Sequence, residues 1–348
     1  MYMRQFASRN LLSSPNPRMI PEELLSSIFA FLPARALASV ATVCSTFRRI
    51  AEPLLYANPD LRVSAGSYQH ESTDAHYKTS QLLHRSLQNR GNLASCIKSL
   101  TMESRNPTMF VDQCSASAGK KTLSLPNLTT LILVRAQITM VPLKTLLSMT
   151  PNLQNLEFDS ECDCQPQDQF RMRYFDCDLL GSALAVVGGT LAKLKITVKF
   201  VASTALEPEN GGSYETRESW GIKGSLGQSL QHFQRLESFD VPWAVLLGWS
   251  PADSLRLATC LPSGLRLLVL SHDLGYFRGY GWDEPMCANR LNDYLAGRDQ
   301  AVDLQSLGIR YDDDDDDEEE DVDRNAWKVV EEQCHRVGCT FYLEGRVL

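Results

Sequence analysis

The sequence carries no apolar run of the roughly 18 residues that a membrane-spanning helix requires. Its longest candidate, VPWAVLLGW at 241–249, is about half that length, so no membrane partner is expected. Also missing is every short motif that concentrates chemistry: Gly-x-Ser-x-Gly, a phosphate loop, His-Glu-x-x-His and a paired Cys-x-x-Cys. With no residues to nominate, neither an enzyme nor a bound cofactor is expected. GGSYETRESWG at 211–221 has glycines and a serine but no lysine, and reads as an insertion loop. A basic excess is lacking too. The net charge is −8, yet eleven of the 42 acids lie between Asp312 and Asp323, leaving 31 acids against 34 basic residues. A nearly neutral body is not the electrostatic footprint of a nucleic-acid binder.

The ten cysteines are scattered, and no signal peptide is evident, which points to a reducing compartment, cytoplasmic or nuclear, without disulfides. Zinc needs four ligands in tetrahedral array. Cys162, Asp163 and Cys164 with the later Cys177 do not supply them locally, nor do Cys334, His335 and Cys339, so no metal is expected. Residues 1–18 contain Arg4, Arg9 and Arg18 and no acid, a composition shared with transit peptides. Pro15 and Pro17 break any continuous helix, and the segment reads as a disordered leader.

Residues 19–60 are unusually apolar for their length. Pro21 followed by Glu22 and Glu23 marks a helix start, since proline suits the first helical position and carboxylates suit the positive end of the dipole. The spacing predicts a first helix to about Leu32, with Leu24, Leu25, Ile28, Phe29, Phe31 and Leu32 spread over an arc of roughly 160°. Pro33 stops it. A second helix carries Leu37, Val40, Ala41, Val43 and Cys44, and a third segment carries Phe47, Ile50, Leu54 and Leu55. Arcs this wide need two partners each. A unit of about 40 residues rarely stabilises itself alone, so it is either an end cap for the rest of the chain or a docking module for another protein.

The segments IPEELLSSIFAFLP and LASVATVCSTFRRIAEPLLY, with their spacing, resemble the F-box of fungal proteins. The resemblance implies a three-helix unit that docks on the Skp adaptor of a Skp, cullin and F-box ubiquitin ligase. On the matching positions, the family's contacts fall on Ile20, Pro21, Leu25, Ile28, Leu32, Pro33, Val43, Cys44 and Phe47. Ile20 stands where leucine is usual, Phe47 where many members have tryptophan, and Ala36 where aspartate is common.

Residues 61–90 read as a polar linker followed by a short helix in TSQLLHRSLQNRG. From residue 91 to 348 a template recurs: an apolar residue, two others, an apolar residue, one other, an apolar residue. It starts at Ile97, Leu128, Leu153, Leu191, Leu236, Leu265 and Leu304, at intervals of 31, 25, 38, 45, 29 and 39 residues. Most matches follow a short run such as LPN or TPN, and helical patterns come after them in MVPLKTLLSM, DLLGSALAVVGG, SLGQSLQHF, SLRLATC, ANRLNDYLAG and NAWKVVEEQCHRVG. The expected fold is an α/β solenoid of degenerate leucine-rich-repeat-like coils with an acidic insertion at 312–323; an ordinary parallel α/β sheet with crossovers would show the same alternation.

An F-box followed by irregular leucine-rich coils is similar to many fungal F-box proteins, in which the repeats hold the substrate. The implied function is a non-catalytic substrate adaptor of a ubiquitin ligase, binding a protein target through the repeats. A scaffold whose F-box-like helices act outside a ligase is the alternative. The loop GYFRGYGWDEP, with Tyr276, Phe277, Tyr280 and Trp282, follows the sixth strand and is the candidate target anchor; packing beneath a long loop is the competing role for these aromatics.

Overall fold

The computed structural model describes residues 20–62, 81–87, 89–103, 123–163, 174–201, 221–272, 281–297, 303–311 and 324–344. The leader, most of the glycine-containing insertion and the acidic run fall outside them. The chain divides between Ala57 and Asn58 into two compact units.

Among the described residues unit 1 has three helices: α1 (Glu22–Phe29), α2 (Ala34–Val40) and α3 (Ser45–Leu55). Pro21 precedes α1 in extended conformation, and Glu22 and Glu23 occupy its first turn. The helix is shorter than the periodicity predicts. After Phe29 the bonds tighten to Phe31 N–H with the Ile28 carbonyl and Leu32 N–H with the Phe29 carbonyl. The reason is local: the ring of Pro33 crowds Leu32 out of the α region, so the helix closes one turn early. Pro33 then serves α2 as N-cap, and the Cys44 sulfur caps α3 by accepting the Phe47 N–H at 3.4 Å. The core is Leu25, Phe29, Leu37, Ala41 and Ala51, with Phe47 and Ile50 packed against it. Phe29 and Phe47 meet edge to face at 5.3 Å, a geometry the aromatic quadrupole favours.

Unit 2 is a mixed α/β domain built on a large parallel sheet. Its strands are β1 (Asp60–Leu61), β2 (Ser99–Glu103), β3 (Thr130–Ala136), β4 (Asn155–Asp163), β5 (Tyr174–Asp176), β6 (Lys193–Val201), β7 (Gly221–Lys223), β8 (Ser238–Pro242), β9 (Leu267–Ser271), β10 (Ser306–Arg310) and β11 (Thr340–Glu344). Among the described residues nine form one sheet in the order β1-β2-β3-β4-β6-β8-β9-β10-β11, and β5 pairs with β7 in a small second sheet. All pairings are parallel. The order never reverses along the large sheet, so it has no switch point of the kind found in doubly wound folds. Among the described residues no helix is long and apolar enough to cross a membrane.

Every one of the seven template segments enters a strand of the large sheet. The first apolar position of each, from Ile97 to Leu304, is buried. The second positions stand side by side: Leu100, Leu131, Leu156, Leu194, Phe239, Leu268 and Leu307 are register partners in succession, and Phe341 of β11 extends the row. Because side chains alternate across a strand, these apolar positions share the inner face and the residues between them share the outer one.

The expected helices form at 81–87, Met140–Ser148, Cys177–Leu184, Glu284–Ala296 and Arg324–Val337. SLGQSLQHF instead forms a 3-10 helix at Gly227–His232 and SLRLATC a single short helix at Leu257–Cys260; the apolar run VPWAVLLGW contains a buried five-residue helix, Trp243–Leu247. The runs LPN and TPN before β3 and β4 also acquire a reason. Asn127 donates its amide to the Ser95 carbonyl at 2.7 Å and Asn152 to the Pro126 carbonyl at 2.8 Å, each tying one segment to the segment before it.

Candidate functional site

Helix α1 has two apolar faces with different occupants. Leu25 and Phe29, four residues apart, enter the core of unit 1. Ile20, Leu24, Ile28 and Phe31 point away from it: Leu24 is 56% exposed, Ile28 51% and Phe31 89%. Leu24 and Ile28, four residues apart, share one face of α1, and Ile20 before the helix and Phe31 after it extend this exposed apolar stripe. Val43, 67% exposed in the turn before α3, is a further uncovered apolar side chain. Among the residues expected at this surface, Ile20, Pro21, Ile28, Pro33, Val43 and Cys44 are exposed, whereas Leu32 and Phe47 are half-buried. Leu25 is a correction: it is buried inside the unit and is not on the exposed stripe. Leu24 and Phe31 are the residues that matching to the family positions missed. The signal for Leu24 is the 100° rotation between neighbouring helical residues, which places 24 and 28 together and turns 25 away. The stripe is flanked by an ion pair between Glu22 and Arg49 of α3.

The outer face of the large sheet in unit 2 is polar. Glu157 of β4 pairs with its register partner Lys195 of β6 at 3.2 Å. Arg135 adopts φ 48°, in the left-handed region rarely entered by a side-chain-bearing residue, at the bulge between Leu133 and Ala136. The bulge places Ala136 rather than Arg135 inside. Arg135 then ion-pairs with Glu103, and its N–H donates to the Asp159 carboxylate at 3.2 Å.

On the same face Arg310 of β10 reaches across β9 to Asp240 of β8. Burial pushes the Asp240 carboxyl up, against the pull of the Arg310 guanidinium. Replacing Arg310 by Met removes that pull and leaves a buried carboxylate without its cation. We expect a loss of about 3–5 kcal/mol at neutral pH. The sign follows from the raised carboxyl: the folded state holds the proton more tightly than the unfolded chain, so the loss shrinks as pH falls and the group is neutralised. Urea unfolding of Arg310→Met at pH 7 and near pH 4 reads this; a loss independent of pH would assign it to packing.

Of the expected target anchors, Tyr276, Phe277 and Tyr280 lie outside the described residues. Trp282 is a correction. It is 2% exposed, stacked on Trp243 at 5.6 Å, and its Nε1–H donates to the Gly248 carbonyl at 2.9 Å. Burying an indole is favourable when its one donor finds an acceptor, and here both conditions are met without a partner protein. The first cysteine cluster has Cys162 and Cys177 buried, with the Cys177 thiol pushed well up by burial and by Asp178 and Asp176; Cys164 lies outside the described residues. Among the described residues no three His, Cys, Asp or Glu side chains are grouped to hold a metal ion.

The family model described as F-box-like matches residues 18–62, the segment containing the whole exposed stripe. These residues are an F-box-like domain. No curated protein matches the chain at a significant level. F-box domains generally bind a Skp adaptor, and F-box proteins are generally non-catalytic adaptors of ubiquitin ligases. In this F-box-like domain Leu25 and Phe29 belong to the core, and Leu24, Ile28 and Phe31 are exposed.

Proposed function

We propose that the chain is a substrate-recognition adaptor of a Skp, cullin and F-box ubiquitin ligase. The observation that carries this reading is the uncovered apolar stripe Ile20, Leu24, Ile28 and Phe31, with Val43 beside the helices, on an F-box-like domain. Scattered exposed apolar residues are ordinary on any protein. Several clustered on and beside one helix, including a nearly naked phenylalanine just past its end, are the surface a hydrophobic partner covers. The Skp adaptor is that partner, and Pro21, Pro33 and Cys44 border the contact. The test is co-purification with a Skp adaptor and a cullin: absence of both from the isolated complex sinks the assignment.

In this proposal residues 19–60 are the docking module, 61–90 connect it, and 91–348 form a degenerate leucine-rich-repeat-like receptor similar to those of fungal F-box proteins. Support comes from the unreversed strand order, the row of inward leucines and phenylalanines, and the asparagine bonds between successive segments. A protein target docks on the outer sheet face, with Tyr276, Phe277 and Tyr280 as additional contacts. The chain itself contributes no catalysis and works in the cytoplasm or nucleus. Deleting residues 19–60 should release the adaptor while target binding persists, read by affinity capture of an identified target. Loss of the target would mean that unit 2 is not an independent receptor.

A further inference from the structure

The last described helix, Arg324–Val337, ends in a turn whose geometry brings two cysteines together. Gly338 has φ 75°, the left-handed conformation that glycine tolerates, and its N–H donates to the His335 carbonyl at 3.3 Å. Cys339 N–H donates to the Cys334 carbonyl at 2.9 Å. This pair of bonds is a Schellman cap, in which the residues at the two ends of the longer bond usually make an apolar contact. Here those residues are Cys334 and Cys339. Neither is in a disulfide, both side chains are buried, and the Cys339 Sγ donates to the Thr340 carbonyl at 3.6 Å. The 6→1 backbone bond fixes the two Cα atoms in the separation range from which a disulfide closes without large backbone movement.

We propose that Cys334 and Cys339 form a reversible dithiol site, converted by low-molecular-weight disulfides such as glutathione disulfide into an intramolecular disulfide. The Cys339 thiolate attacks one sulfur of glutathione disulfide, making a mixed disulfide and releasing one glutathione. The Cys334 thiolate then attacks the Cys339 sulfur, closing the protein disulfide and releasing the second glutathione. The protein gives up two electrons and two thiol protons; glutathione disulfide takes both as two glutathiones. The order of attack follows from the surroundings. Cys334 is fully enclosed, and the neighbouring Cys339 side chain and burial push its thiol far up. Cys339 retains slight exposure and reacts first. Once it is in a mixed disulfide its charge no longer opposes ionisation of Cys334. A reducing compartment keeps the site open, which makes closure a response to oxidation and not a permanent staple. The inference is independent of the ligase assignment.

The test treats the intact reduced chain with glutathione disulfide, quenches in acid, alkylates remaining thiols in denaturant and digests with trypsin without reduction. Trypsin cuts after Lys328, Arg336 and Arg346, so the two cysteines fall in separate peptides, 329–336 and 337–346. We expect these peptides to appear covalently linked, with loss of alkylation at both residues. In Cys334→Ser, Cys339 should stop at the mixed disulfide with glutathione. The proposal is overturned if both thiols remain alkylatable after the exposed Cys44 has been fully converted, or if Cys339 pairs with a cysteine other than Cys334.

Discussion

Leu24→Asp combined with Ile28→Asp should reduce affinity for a Skp adaptor at least a hundredfold and leave unit 1 folded. Each side chain contributes about 1.5–3 kcal/mol when fully buried, and every 1.4 kcal/mol is a factor of ten in affinity. Association costs prevent simple summation, but the buried carboxylates that replace the leucine and isoleucine would carry a desolvation penalty in the complex. Both positions are more than half exposed in the chain itself, so the substitutions leave its own core intact. The neighbouring substitution gives the contrast. Leu25→Asp puts a carboxylate among Phe29, Leu37, Ala41 and Ala51, and a module of this size has no stability to spare. Binding is also lost there, but through unfolding, seen as lost helical ellipticity. Isothermal titration against the adaptor, paired with circular dichroism, separates the two. Full binding by the doubly substituted, folded chain would remove the stripe as the interface.

Phe158→Ala is expected to be the most damaging single truncation of the parallel sheet in unit 2. Phe158 is fully buried in β4, next to the Leu133 and Ile196 positions of the flanking strands, and stacks on Phe175 at 6.2 Å. Removing a buried ring leaves a cavity that rigid neighbouring strands cannot close, at a cost of about 3–5 kcal/mol. Each kcal/mol lowers the melting midpoint of a domain this large by about 2–4 °C. Thermal unfolding followed by far-ultraviolet dichroism reads the shift. Unit 1 has a core of its own, so adaptor binding by the F-box-like domain should survive below the new midpoint. A midpoint within a degree of the parent would show that β4 is not central to the core.

Alternation along KSLTM, TTLIL and QNLEF fixes which residues of each strand face inward, because a strand has only two faces and burying apolar area stabilises one of them. The proline and carboxylates at Pro21, Glu22 and Glu23 likewise fix where α1 begins, because helix starts are governed by groups adjacent in sequence. Such features depend on neighbours a few residues apart and were legible before any fold was known. Three things were not. Leu24 and Leu25 are the same residue type in adjacent positions, and only packing against α2 and α3 decides which of them is core. Trp282 has the composition of a binding anchor, yet Trp243 and the Gly248 carbonyl, both more than thirty residues away, claim its ring and its N–H. The strand order of the sheet and the bulge at Arg135 depend on backbone bonds whose partners no local pattern specifies. Sequence sets the local preferences; long-range packing chooses among the faces that those preferences leave equal.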